Sequence, residues 1–312
     1  MGFKKIVVVG GGRIGSQIAF QSAYCGFESW ILLRSEASIE RTKQKIEKLK
    51  SIYLDIMEKM KTDKTSYCNG FTNKEDLTNN QIDELKNQLE KGYKELKLTT
   101  KYDEACKDAD LIIESIAEDL KQKTTLYKEL SKQMEEKTVL VTNSSTLLPS
   151  LFADSTGRPE KYLAFHFSNE IWKNNIVEIM SHARTDKKNF EEMVEFAEEI
   201  KMIPIKINKE QKGYILNSMF VPFALSAFSL WANDVSDTET IDKAWKNGTG
   251  APSGPFRLLD CVGLPTVYNI VSMIPGYEAP DSIYKKICDK LKIMIDAGKF
   301  GLDSGEGFYK YK

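Results

Sequence analysis

Lys5-Ile6-Val7-Val8-Val9-Gly10-Gly11-Gly12-Arg13-Ile14-Gly15 is a short β-branched run that ends in glycines at the spacing G-x-G-x-x-G. Six residues matching a pattern carry little weight alone. These gain weight from their place, directly after a strand and directly before a helix expected from Ile14 to Cys25. In that setting Gly10 makes the tight turn, Gly12 lets the backbone reach a pyrophosphate, and Gly15 allows the helix to pack closely on the strand. The first helical turn, with Arg13 and Ile14, then offers unpaired N–H groups and a partial positive charge to phosphate oxygens. A dinucleotide, NAD or NADP, is the expected ligand.

Outward from this loop, strand-like and helix-like segments alternate, as they do in a parallel sheet covered by helices. Strands are predicted at Trp30 to Arg34, Leu111 to Ile116, Val139 to Asn143, Tyr162 to His166, Ile176 to Met180 and Ile203 to Ile207. Ser38 to Lys61 has apolar residues at helical spacing and charges on its other face, and a second amphipathic helix is expected near Gln81 to Glu95. Together they form a charged helical excursion over residues 38–95. After a helix near Asn189 to Ile200, strand signals stop at about Asn208, and the remainder reads as helices joined by Gly/Pro turns. The expected fold class is α/β: a Rossmann-like dinucleotide-binding domain over residues 1–207, followed by a smaller all-helical domain over 208–312. No internal repeat is visible.

The end of the second strand separates the two dinucleotides. A fold that takes NAD usually places Asp or Glu there to accept from the ribose 2′-hydroxyl. This chain has Arg34-Ser35, which suits a 2′-phosphate because guanidinium matches phosphate geometry in two-point contact. Glu36, two residues on, can still turn towards a ribose, and a surface arginine is commonly just solvated. The reading leans towards NADP.

In 312 residues, Lys plus Arg is 44 and Asp plus Glu 45, a net charge of -1, so no surplus argues for a nucleic-acid groove or an anionic membrane surface. Five widely spaced cysteines with no C-x-x-C pair argue against a disulfide framework or a zinc knuckle and point to reduced thiols in a cytoplasmic protein. The N-terminus enters the first strand with no signal-peptide pattern. Gly213 to Asn233 is free of charged residues and long enough to be considered as a membrane span. Asn217, Ser218, Pro222, Ser226 and Ser229 interrupt it, and a helix buried within the protein or between subunits fits it better.

The 2 histidines narrow any imidazole chemistry to a choice. His182 follows a strand among polar residues and reads as a solvated loop histidine. His166 ends an apolar strand, and twelve residues later Glu178 sits within Ile176-Val177-Glu178-Ile179-Met180. If the two strands neighbour each other, the carboxylate orients the imidazole and stabilises its protonated form. That serves a hydroxyl dehydrogenase, in which the proton goes to a base while hydride goes to the nicotinamide. A core histidine paired with a core glutamate is the structural alternative.

Several segments in one order resemble the 3-hydroxyacyl-CoA dehydrogenase family, nearly end to end. Thr142-Asn143-Ser144-Ser145 is similar to its S-N-T-S, His166-Phe167-Ser168-Asn169-Glu170 to H-F-F-N-P, Ile176 to Ile179 to L-V-E-V, and Gly213-Tyr214-Ile215-Leu216-Asn217 to G-F-I-V-N. The segments Gly250 to Phe256, Asp260 to Leu264 and Gly305 to Tyr309 continue the match. The resemblance implies that His166 is the catalytic base with Glu178 as its partner, and that Ser145 and Asn217 contact the substrate oxygen. It also implies that Asn143, Glu118 and Lys123 line the nicotinamide side, that NAD is the default cofactor, and that the C-terminal helices form a homodimer. Ser145 and Asn217 can donate to an oxygen that gains charge as hydride arrives.

There are departures: Glu170 replaces the proline, Ser218 stands where arginine is usual, Ser253 where methionine is usual, and the 38–95 excursion is long. They leave the substrate open between a short-chain 3-hydroxyacyl-CoA and a free 3-hydroxy acid without CoA. A catalytically silent dinucleotide binder remains as a reading from another class.

Overall fold

The computed structural model describes residues 2–311. Among them the chain divides after Ile215 into two compact units.

The first unit is built on one eight-stranded sheet. Its strands are β1 (Lys5–Val9), β2 (Glu28–Leu32), β3 (Lys97–Thr99), β4 (Leu111–Glu114), β5 (Val139–Thr142), β6 (Tyr162–Phe167), β7 (Ile176–Met180) and β8 (Ile203–Ile207). Their spatial order is β3-β2-β1-β4-β5-β6-β7-β8, and every pairing is parallel except β6 with β7. Helices α1 (Arg13–Tyr24), α2 (Glu36–Met60), α3 (Asn79–Glu95), α4 (Tyr102–Cys106), α5 (Leu120–Gln133) and α6 (Lys187–Glu199) complete the unit. The central strands are apolar runs without alternation, as expected where both faces are covered. β1, β4, β5 and β6 are buried at every position.

The chain leaves β1 towards β2 on one side and reaches β4 on the other. The order therefore reverses at β1, and the crevice beyond the carboxyl ends of β1 and β4 is where ligands of such sheets bind.

Strand β2 stops at Leu32, two residues short of the Trp30 to Arg34 reading, because the chain must bend at Arg34 and Ser35 to start α2. β3 escapes sequence reading because three residues are too few to show alternation. The excursion is tied down by α2, which buries Thr42, Ile46, Leu49, Tyr53 and Met57 at spacings of three and four. A capping box joins Thr78 and Gln81 at the start of α3. Where α3 crosses α1 only glycine fits at position 92, since a Cβ there would meet Ala23 O at 2.4 Å.

The second unit is helical: α7 (Leu216–Ala232), α8 (Thr238–Thr249), α9 (Pro255–Val262), α10 (Leu264–Ser272) and α11 (Ile283–Asp296). Buried Asp260 fixes its C-terminal strap by accepting from Phe308 N at 2.8 Å, Tyr309 N at 3.0 Å and the Tyr311 hydroxyl at 2.8 Å. The uncharged run from Gly213 to Asn233 is largely α7. Among the described residues, no helix is long and apolar enough to cross a membrane.

Candidate active site

The glycine loop lies at the mouth of a cavity of ≈ 600 Å³ in the first unit, lined by Gly10, Gly11 and Gly12, by Leu33, Arg34, Ser38, Arg41, Thr42 and Lys45, and by Ser115 to Ala117. The glycines meet the demands of a phosphate cradle. Gly10 has φ 112°, and a Cβ there would lie 2.5 Å from Ser115 O. At Gly15 it would lie 2.1 Å from Gly10 O, so helix and loop touch only because the side chain is absent. Gly12 instead faces open space where its Cβ would be, and it caps α1 without a side-chain hydrogen bond. The amino end of α1 thus faces the loop as it does where such helices bind an anion. The cradle fits a dinucleotide.

Around the end of β2 the lining is basic. Arg41 donates from Nη2 to Ser38 Oγ at 3.1 Å, and Lys45 donates to Gly11 O at 2.8 Å, beside the exposed Arg34. Glu36 accepts from the Thr100 hydroxyl at 2.8 Å and does not line the cavity. Arg41 and Lys45 were not singled out from sequence. One and two turns into α2, they share a face with Arg34 only because the helix starts where it does.

His166 and Glu178 meet because β6 and β7 pair antiparallel with these two residues directly opposite. Nδ1 of the imidazole lies 3.0 Å from Glu178 Oε2, and Glu178 Oε1 accepts from Ile215 N at 2.8 Å. A carboxylate accepts, so Nδ1 carries the proton in this hydrogen bond and Nε2 keeps the lone pair that can take one. Both side chains are buried, where the pair is little screened. The Tyr214 ring stacks on the imidazole, with centroids 4.4 Å apart and planes 18° from parallel.

The loop after β5 is held from several directions. Asn143 Oδ1 accepts from Phe167 N at 2.9 Å, which ties the loop to the strand bearing His166. Ser144 Oγ donates to Glu118 at 2.7 Å, Ser145 N donates to the same carboxylate, and Ser144 O accepts from the Tyr214 hydroxyl at 2.6 Å. His166, Glu178, Asn143, Ser145 and Glu118 thus form one connected group. Asn217 belongs to α7 in the second unit.

Lys123 is 1% exposed, with Nζ 2.6 Å from Glu114 Oε1 and 3.9 Å from Glu118 Oε2. Glu114, fully buried, also accepts from the Tyr127 hydroxyl at 2.6 Å, the Thr142 hydroxyl at 2.7 Å and Ile116 N at 2.8 Å. Sequence reasoning missed Glu114. The available signal was a carboxylate inside the apolar run Leu111-Ile112-Ile113-Glu114, the same kind of anomaly that drew attention to Glu178.

His182 is not the solvated loop residue expected. It is 6% exposed, packs near Tyr162 and accepts from Arg184 N at 3.3 Å. Burial holds its pKa below the ordinary 6.5. The unfolded chain therefore binds a proton that the folded chain resists, so this stability is present above about pH 6.5 and is lost as pH falls below it. His182→Asn is expected to flatten the fall of Tm with acidification in this range. Parallel Tm-against-pH curves for the two proteins would contradict it.

Both halves of the chain match family models: the NAD binding domain of 3-hydroxyacyl-CoA dehydrogenase over residues 5–211, and the C-terminal domain of the same enzyme over 213–311. The chain belongs to the 3-hydroxyacyl-CoA dehydrogenase family. It is accordingly an oxidoreductase acting on CH–OH groups. It is 30% identical to human mitochondrial hydroxyacyl-coenzyme A dehydrogenase over 309 residues, covering 99% of this chain and 91% of that protein. It is also 30% identical to 3-hydroxybutyryl-CoA dehydrogenase of Clostridioides difficile over 310 residues, 98% of this chain and 99% of that one. Among solved structures, a diketoreductase described for substrate-directed dual catalysis of dicarbonyl compounds is 38% identical, with TM-score 0.86 and full coverage of both chains.

As a 3-hydroxyacyl-CoA dehydrogenase family member, the chain has a local reason for Glu170. That residue has φ 57° and donates its N–H to Gln17 Oε1 at 2.9 Å; proline, with φ near −65° and no N–H, can do neither.

Proposed function

We propose that this family member interconverts a short-chain 3-hydroxyacyl-CoA and the 3-ketoacyl-CoA, with His166 as general acid and base. The observation that carries the reading is the 3.0 Å pairing of His166 Nδ1 with Glu178 on adjacent strands. When bound, the nicotinamide supplies or accepts the hydride. Nε2 of His166 takes the hydroxyl proton in oxidation and returns it in reduction. Glu178 fixes the ring and stabilises the imidazolium in between. Ser145, as in the family motif, donates to the oxygen, and this stabilisation grows as charge develops there. The exposed apolar side chains of the second unit, Met273 at 81% and Ile293 at 71% among them, support a homodimer formed through these helices.

Arg34, Arg41 and Lys45 at the end of β2, with Glu36 engaged elsewhere, favour NADP over NAD. Arg34→Asp is expected to lower the ratio of kcat/KM for NADPH to that for NADH by about tenfold or more, since a two-point phosphate contact is replaced by repulsion. An unchanged ratio would mean that Arg34 does not touch the ribose.

Purified protein with acetoacetyl-CoA and NADH or NADPH tests the function through loss of nicotinamide absorbance. A second reading, reduction of a dicarbonyl compound that carries no CoA, is favoured by the full-length likeness to the diketoreductase. Turnover of a free β-diketo compound with none of acetoacetyl-CoA would establish the second reading and overturn the first.

A further inference from the structure

The Gly213-Tyr214 turn puts two consecutive residues in the left-handed region, at φ 82° and 55°. A residue with a side chain rarely adopts this conformation. The turn directs the Tyr214 side chain inward, where it is almost fully buried. There it makes contacts of different kinds. Its ring lies face to face with His166, and its hydroxyl reaches Ser144 O at 2.6 Å.

We propose that Tyr214 is a positioning residue that locks the His166 imidazole and the Ser144-Ser145 loop into one rigid unit. This rests on the reading of His166 as the base. Glu178 holds the imidazole by its edge, at Nδ1, and the stacked ring bears on its face. The phenol tells the Ser144-Ser145 backbone where the ring is. Burial, together with the nearby carboxylates of Glu118 and Glu178, holds the phenol above its usual pKa, so it remains a donor throughout the working range. The imidazolium that forms during oxidation faces the π-electrons of the ring, an arrangement that attracts a cation. Base and oxygen-binding loop come from different strands, β6 and β5, and a small misplacement between them lowers the rate of proton and hydride movement more than it lowers binding.

The test compares Tyr214→Phe and Tyr214→Leu in the full chain, with acetoacetyl-CoA or with the free dicarbonyl compound if that is the one turned over. Tyr214→Phe keeps the stacked ring and loses only the hydrogen bond. Its kcat is expected to fall about three- to tenfold with cofactor KM unchanged. The primary deuterium isotope effect from a deuterated reduced nicotinamide should rise, because chemistry becomes more nearly rate-limiting. Tyr214→Leu is expected to fall about a hundredfold, with the phenylalanine variant restoring most of that loss. Wild-type kcat and isotope effect in Tyr214→Phe would overturn the link to the loop, and equal losses in both variants would overturn the stacking role. If Tyr214→Leu does not fold, the phenylalanine variant still decides the link to the loop, and without that link the proposal falls. Near-wild-type turnover by His166→Gln is a separate failure, that of the base itself.

Discussion

Replacing His166 with glutamine is expected to lower kcat by about a thousandfold, ~4 kcal/mol, with dinucleotide binding at wild-type strength. The two halves of this expectation come from different parts of the first unit. Dinucleotide binding is assigned to the glycine loop after β1 and to α1, neither of which includes His166. Glutamine can still donate to Glu178 from its amide, so the buried carboxylate retains a partner and the β6–β7 pairing has no reason to open. It has no nitrogen that takes up a proton near neutral pH. The variant thus separates a base from a core histidine that merely satisfies Glu178, the structural alternative left open by the sequence. Steady-state rates in both directions, together with dinucleotide titration by quenching of protein fluorescence, check it. Turnover near the wild-type rate would show that another group moves the proton. Loss of dinucleotide binding alongside turnover would show that the substitution had damaged the fold.

His166 and Glu178 could be paired from sequence because the signal is local: two successive apolar strands, each carrying one residue that an apolar strand does not need, with those residues twelve apart. The antiparallel return then places them opposite each other. The glycine loop is legible for the same reason, since its strand, turn and helix are contiguous. Tyr214 follows β8 and lies forty-eight residues beyond His166. Nothing in Gly213-Tyr214 announces that a left-handed turn will lay its ring on the imidazole. Arg41 and Lys45 look like ordinary charges on an amphipathic helix. Their common direction with Arg34 depends on α2 starting at Glu36, a boundary that hydrophobic spacing does not resolve to the residue. Polar neighbours make His182 read as solvated, whereas Tyr162 and the Arg184 turn cover it. Contacts made within one hairpin or one βα unit were visible, and those made by the closing of the chain were not.

The buried pair Lys123 and Glu114 carries the largest expected effect on stability. Lys123→Met removes the ammonium and leaves a carboxylate inside the first unit, which for a buried pair broken on one side costs about 3–5 kcal/mol. For a unit of this size that is a fall in Tm of roughly 10 °C. Two hydroxyls and one backbone N–H still donate to Glu114, so the lower end of the range is the better expectation. Removing both charges should cost less than removing one, because Glu114→Leu with Lys123→Met leaves no buried ion behind. The hydroxyls of Tyr127 and Thr142 then lose an acceptor, and Tyr127 retains its 3.1 Å contact with Tyr162. A double-mutant cycle read by thermal unfolding therefore gives a coupling of favourable sign, and additive losses would contradict the pairing. The same variants bear on catalysis through Glu118. Its Oε2 lies 3.9 Å from the Lys123 ammonium, and the carboxylate holds Ser144 Oγ and Ser145 N. If the ammonium helps fix Glu118, Lys123→Met lowers kcat at temperatures where the variant remains folded. A loss of Tm with kcat intact would confine the lysine to the core.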